Sequence, residues 1–382
     1  VPNGAVDLQP GTVIRLPDDK PGIEYLVTSV EAGAKRSLRA KQIRRVPASP
    51  WRVQKPIETV ITEPVAGAPF VVLLDLPMLP MLPGETLPEN QLRIAAYAKP
   101  WKTLAVMASP EGSGFSERGV VTAPAAIGEL MAPLNSGVVG RLDRANRIEV
   151  ALLAGLLASQ STAQMLNGGG TAAVQGDNGA WEIVQFSQAE EVAAGRWQLS
   201  GLLRAQLGTE DALEAGASSG QTFVLLDERV KPAGLRSAEL GLERQWRVGP
   251  TGYAISDALF ATQSVTGGQR SRLPLAPVHL RCSAIAGGWR FSWIRRGRVD
   301  ADDWAASDIP LGEAAETYEV EIADGGGGVK RRVQTGSAAL FYNRDEAARD
   351  FGSVPGAVRV TVRQISAAVG AGLAARADFA LL

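Results

Sequence analysis

His279 and Cys282 are the only histidine and the only cysteine of the chain, and a Cys/His pair is a combination that nucleophilic catalysis uses. They fall in Pro277-Val278-His279-Leu280-Arg281-Cys282, an alternating run that reads as a strand. Residues three apart on a strand point to opposite faces, so the two side chains are not expected to meet. A lone histidine makes any Ser-His-Asp triad depend on that residue. A lone cysteine closes no intrachain disulfide and builds no cysteine-rich zinc or iron–sulfur site. Both residues are read as structural.

Carboxylates occur in close groups at Asp18-Asp19, Glu190-Glu191, Glu210-Asp211 and Asp300-Ala301-Asp302-Asp303. Two carboxylates suffice for glycoside hydrolysis, and several can hold Ca²⁺. The Asp300 run lacks the spacing and the glycine of an EF-hand loop and reads as a solvated loop ahead of Trp304. Gly168-Gly169-Gly170 and Gly325 to Gly328 are not followed by Lys-Ser/Thr, so neither is a phosphate-binding P-loop. No catalytic, cofactor-binding or metal-binding residue is assigned, and no cofactor is expected.

Binding offers better candidates. Lys35, Arg36, Arg39, Lys41, Arg44 and Arg45 make a local basic patch, suited to phosphate contact or to a protein interface. Of the eight tryptophans, Trp101 and Trp304 join Arg36, Arg39 and Lys41 as candidate interaction residues, since tryptophan anchors interfaces and stacks on sugars. Trp289, Phe291 and Trp293 share one strand face by their even spacing and are expected to point inward.

The elements that carry these residues read as strands. Thr12–Leu16, Tyr25–Val30 and Ser37–Ile43 form a small antiparallel meander around the turn Pro17–Gly22, followed by a linker from Pro47 to Pro56. Phe70–Asp75, Leu92–Ala98, Lys102–Ala108, Ile148–Leu153, Trp181–Phe186, Trp197–Arg204 and Thr222–Leu226 are further strand candidates bounded by Gly, Pro, Asn or Asp. Short helices are expected at Thr162–Leu166, Gln188–Ala193 and Thr209–Leu213, the last with Thr209 as N-cap and acidic residues in its first turn. Trp289–Arg295, Tyr318–Ile322, Val329–Val333, Ala339–Tyr342 and Val358–Val362 alternate cleanly and predict an antiparallel sandwich.

Composition narrows the classes. Hydrophobic residues at 45% and charged residues at 21% argue against disorder. A formal net charge of -1 gives no global field toward nucleic acid or acidic lipid. The longest apolar candidate for a membrane span, Phe70 to Leu82, is broken by Asp75, Pro77 and Pro80, so no span is expected. Val1-Pro2-Asn3-Gly4 reads as the start of a fragment rather than a signal peptide.

Two sets of strings carry a family resemblance. In residues 277 to 382, Phe291-Ser292-Trp293 and Val358–Ser366 followed by Gly370-Ala371-Gly372 resemble the second and sixth strands of a fibronectin type III sandwich. Val358 stands at the first position of the sixth strand, where that family usually has a tyrosine. Across about residues 10 to 382, the order Trp181–Phe186, Leu199–Glu210, Phe223–Asp227, Trp246–Pro250, Leu275–Arg281, Ser292–Arg298, Asp303-Trp304 and Tyr318–Ile322 resembles the C-terminal region of the large tail-tip proteins of gene transfer agents and related siphophages.

The resemblance implies an all-β chain with minor short helices, β-domains of a tail hub followed by a fibronectin type III-like sandwich. It implies three segments: 1–55 ending a tail-hub β-domain, 56–275 forming a central β-rich domain, and 276–382 forming the sandwich. It implies a structural, non-enzymatic baseplate hub that forms a homotrimer, with distal tail, hub and fibre proteins as partners, DNA passing through its channel and a host surface glycan as a further partner. Any glycosidase-like activity would belong to a region before Val1. The expected location is the tail tip of a virion-like particle made in the bacterial cytoplasm. Two other readings stay open: an adhesive β protein that recognises a cell-surface glycan, and a two-carboxylate hydrolase.

Overall fold

The structure is a computed structural model that describes residues 8–32, 35–44, 67–80, 90–299, 301 and 308–381. The chain divides into two compact units, Val1–Glu63 and Pro64–Leu382. The described residues are nearly all β, with three short α-helices among them. The first unit holds β1 (Val13–Ile14), β2 (Glu24–Glu31) and β3 (Ser37–Ile43) in one antiparallel sheet of that order.

The second unit starts with β4 (Phe70–Asp75), β5 (Leu92–Tyr97), β6 (Leu104–Ser109) and β7 (Ser116–Val121). The chain then enters a closed six-stranded barrel of β8 (Ile127–Leu130), β9 (Ile148–Leu152), β10 (Thr171–Gln175), β11 (Trp181–Ala193), β12 (Arg196–Gln206) and β13 (Thr222–Leu225). Helices α1 (Thr162–Leu166) and α2 (Glu210–Ala215) lie within this stretch. On leaving the barrel, β14 (Lys231–Pro232), β15 (Glu243–Pro250) and β16 (Ala261–Thr266) complete the earlier sheets. Those sheets run β14-β5-β4 and β16-β15-β6-β7. The barrel is therefore inserted into a central sandwich.

Strand β4 shows why the layers stack in this way. Phe70-Val71-Val72-Leu73-Leu74 has no polar alternation, which suits a strand covered on both faces. Val71 packs with Ile94, Trp246 and Val248 in the core between the two central sheets. Val72 and Leu74 point the other way and pack with Ala173, Trp181, Ile183 and Val224 of the barrel wall. The barrel keeps a separate interior built on Val150, Val174, Phe186, Leu199, Leu202 and Phe223.

The C-terminal sandwich comprises β17 (Val278–Ile285), β18 (Gly288–Ile294), β19 (Tyr318–Ala323), β20 (Val329–Thr335), β21 (Ala339–Asn343), α3 (Arg344–Phe351), β22 (Ala357–Ser366) and β23 (Gly370–Ala380). Its sheets are β17-β18-β21 and β20-β19-β22-β23. Its first, second and fifth strands thus face the fourth, third, sixth and seventh, the order of a fibronectin type III sandwich. Trp289, Phe291 and Trp293 on the second strand pack against Tyr318, Val320 and Ile322 and against Val358, Val360 and Val362. Trp293 meets Tyr318 edge-on at 5.2 Å. Val358 is buried at the head of the sixth strand.

Two local readings change. Gln188–Ala193, expected as a helix, is the outer half of β11, paired with β12 from Gln188↔Ser200 to Ala193↔Arg196. Its Gln, Glu and Ala residues have helical propensity, but cross-strand pairing satisfies the backbone and overrides it. Thr209 precedes α2 without capping it: its hydroxyl accepts the Ile183 N–H at 3.0 Å and donates to the Gln206 carbonyl at 2.8 Å. Helix α3 was missed, although Asn343 and Glu346 form a capping box there.

Leu74 is fully buried between the central sheet and the barrel. Leu74→Ala is expected to lower the unfolding free energy by about 2–5 kcal/mol, the usual range for such truncations, as read by urea denaturation of the whole chain.

Candidate interaction sites

The basic residues lie on the edge strand β3 of the first unit. Arg39 and Lys41 are two apart and share a face of the strand, and both are exposed. Arg36 precedes the strand and is half-buried. Lys35 and Arg44 flank it as exposed residues, while Arg45 lies outside the described residues. The opposite face of β3 carries Leu38 and Ala40. The sheet is therefore two-sided, with Arg39 and Lys41 as its cationic pair.

Trp101 belongs to the second unit and is half-buried at the margin of the central core. Its indole N–H donates to the Thr122 carbonyl at 3.2 Å, and the side chain is thereby tied to the core. Trp304 lies outside the described residues, as do Asp300, Asp302 and Asp303. The structure thus brings Arg39 and Lys41 together and leaves Trp101 in a different unit.

His279 is exposed, with φ +53° at an irregularity in the β17–β18 pairing. Cys282 is half-buried against the sandwich core, and burial pushes its thiol pKa up. The two side chains differ in exposure as the strand alternation requires. Among the described residues, no group of three or more His, Cys, Asp or Glu side chains is arranged to hold a metal ion.

The acidic pair Glu210-Asp211 has a definite place. Asp211 takes both ends of the Arg270 guanidinium at 2.6 Å. Glu210 takes Arg296 at 2.5 and 3.1 Å. Arg270 sits in a 3₁₀ turn (Arg270–Arg272) between β16 and β17, and Arg296 follows β18. Neighbouring residues of one barrel helix therefore hold both the connecting segment and the C-terminal sandwich through bidentate ion pairs. Asp75 adds a third tie from β4, its carboxylate accepting the N–H groups of Gln269 and Arg270 at 3.2 and 3.3 Å. Burial raises the Asp75 pKa against these stabilising contacts.

A buried ionic cluster inside the barrel was not foreseen. Arg204 is fully buried, and its Nε and Nη2 donate to the two oxygens of Glu182 at 2.6 and 2.8 Å. Nη1 donates to the Asn135 carbonyl at 3.1 Å and lies 3.6 Å from Asp143. Glu182 also accepts the N–H of Ala205, a residue with φ +49°. For Asp143, burial favours the neutral acid, but hydrogen bonds from Asn146 and Ala145 and the Arg204 charge hold its pKa below the ordinary value. A side chain at Gly137 would overlap the Asp143 carboxylate, so only glycine lets the backbone pass there. The available sequence signal was one acid in Trp181-Glu182-Ile183-Val184 and one base in Leu202-Leu203-Arg204-Ala205.

These features define an all-β protein with a buried charge cluster in an inserted barrel and carboxylate–arginine ties at the barrel's junction with a fibronectin type III-like sandwich. Residues 125–224 match the family model described as Rcc01698-like, C-terminal. The matched segment runs from just before β8 into β13 and so coincides with the barrel. No curated protein matches the chain.

Glu182→Gln keeps the side-chain shape but removes the main counter-charge of Arg204. It is expected to cost about 3–5 kcal/mol, as for other broken buried pairs, and the double change Glu182→Leu, Arg204→Met is expected to cost less than Glu182→Gln alone. Denaturant titration checks both. At the junction, a double-mutant cycle of Asp211→Asn and Arg270→Gln is expected to give a coupling of about 1 kcal/mol, because the pair is only partly screened by solvent.

Proposed function

We propose that this chain is a structural component of a phage-like tail tip, a baseplate hub of the gene transfer agent type. The observation that carries the reading is the match of residues 125–224 to the Rcc01698-like C-terminal family over a segment that closes into a barrel. The ordered strings that resemble gene transfer agent tail-tip proteins begin inside that segment, at Trp181, and continue beyond it as far as Ile322. The architecture suits a load-bearing part: both faces of the middle sheet are covered, and paired arginines tie the barrel to its neighbours.

In this reading the chain forms a homotrimer, contacts distal tail, hub and fibre proteins, and lets DNA pass. It acts without catalysis of its own and resides at the tail tip of a particle assembled in the bacterial cytoplasm. Arg39 and Lys41 supply an exposed cationic strand face for a protein or phosphate contact.

A reconstruction of the particle's tail tip tests the proposal. The expected result is this polypeptide traced around a threefold axis at the end of the tube. Purified, intact particles whose tail tip lacks the polypeptide overturn it.

A further inference from the structure

Successive side chains of a 3₁₀ turn leave its axis about 120° apart. In the turn Arg270–Arg272 the first guanidinium reaches the barrel helix α2, and Ser271 is buried. Arg272 takes the remaining direction and lines an open cleft of about 470 Å³ against the end of the C-terminal sandwich. Arg298, Glu313, Ser366 and Ala368 line the other sides.

The two arginines differ in state. Arg298 is pinned, donating to Glu313 at 2.5 Å and to the Gly312 carbonyl at 3.0 Å. Arg272 makes no side-chain hydrogen bond or ion pair with any described residue. Ser366 is buried, and its hydroxyl accepts the Ala368 N–H at 3.2 Å, which leaves its own proton to donate. Among the described residues that line the cleft, two guanidiniums stand against one carboxylate, a net positive balance.

We infer that this cleft binds the carboxylate of an acidic sugar, with Arg272 as its principal ligand. A free guanidinium fork matches a carboxylate in shape and charge. The Glu313 charge disfavours a doubly charged phosphate more than a singly charged carboxylate. The small Ala314, Ala367 and Ala368 surfaces and the Ser366 hydroxyl suit a sugar ring, which offers apolar faces and hydroxyls together. The volume lies within the range of about 300–1,000 Å³ typical of small-ligand sites. The site assignment does not depend on the tail-tip reading.

Calorimetric titration of the whole chain with glucuronate, glucose and acetate tests it. Glucuronate is expected to bind more tightly than either of the others. Arg272→Gln is expected to weaken glucuronate about tenfold or more, the loss of a charge-assisted hydrogen-bonded contact, while leaving Tm unchanged. Arg290→Gln removes the same charge from an exposed position in β18 outside the cleft and is expected to leave binding intact. Glucose or acetate binding as tightly as glucuronate, no glucuronate binding, or equal binding by Arg272→Gln overturns the proposal.

Discussion

Strand β4 has to be apolar on both faces because it lies in a sheet with a wall on each side. One wall is the second central sheet, and the other is the outside of the barrel. A polar residue at Val71 would enter the first core, and one at Val72 or Leu74 would enter the second. This two-sided demand joins the core of the central sandwich to the layer packed on the barrel wall. The barrel therefore spends part of its outer surface as core, and its closure removes the sheet edges that would need covering elsewhere.

Charge enters this packing in two regimes. Arg204 and Glu182 are almost wholly removed from water, where desolvation offsets most of the attraction and the pair adds geometric specificity more than stability. Its worth lies in direction: the guanidinium reaches the Asn135 carbonyl and approaches Asp143, fixing the crossing from β8 to β9 against β12. The junction pairs Asp211–Arg270 and Glu210–Arg296 remain partly solvated, so they tie modules together without a deep desolvation cost. The same chemistry thus sets an interior and holds a seam.

Much of the strand content was legible because alternation and turn residues are local signals. Phe70–Asp75 and Ser37–Ile43 appear with the bounds expected of them. The inward faces of Trp289, Phe291 and Trp293 followed from their spacing alone. What failed was governed by distant partners. Gln188–Ala193 has the composition of a helix, and only its pairing with β12 makes it a strand. Barrel closure depends on β13 meeting both β8 and β10, which no local pattern announces. The candidate residues were legible as types but not as neighbours: Arg39 and Lys41 share a strand, whereas Glu210 and Asp211 gain their meaning from arginines 59 and 86 residues away.

The entry to the barrel and its exit are adjacent. Ile127 pairs with Val224, and the Leu225 N–H donates to the Ala126 carbonyl. The central sandwich therefore sees almost one hundred residues as a short gap between two neighbouring backbone positions. Insertions with closely spaced ends are the kind that a host fold tolerates. The barrel is in this sense an insertion with a single doorway: the path of the sandwich is set by two adjacent backbone positions, whatever length of chain loops out between them.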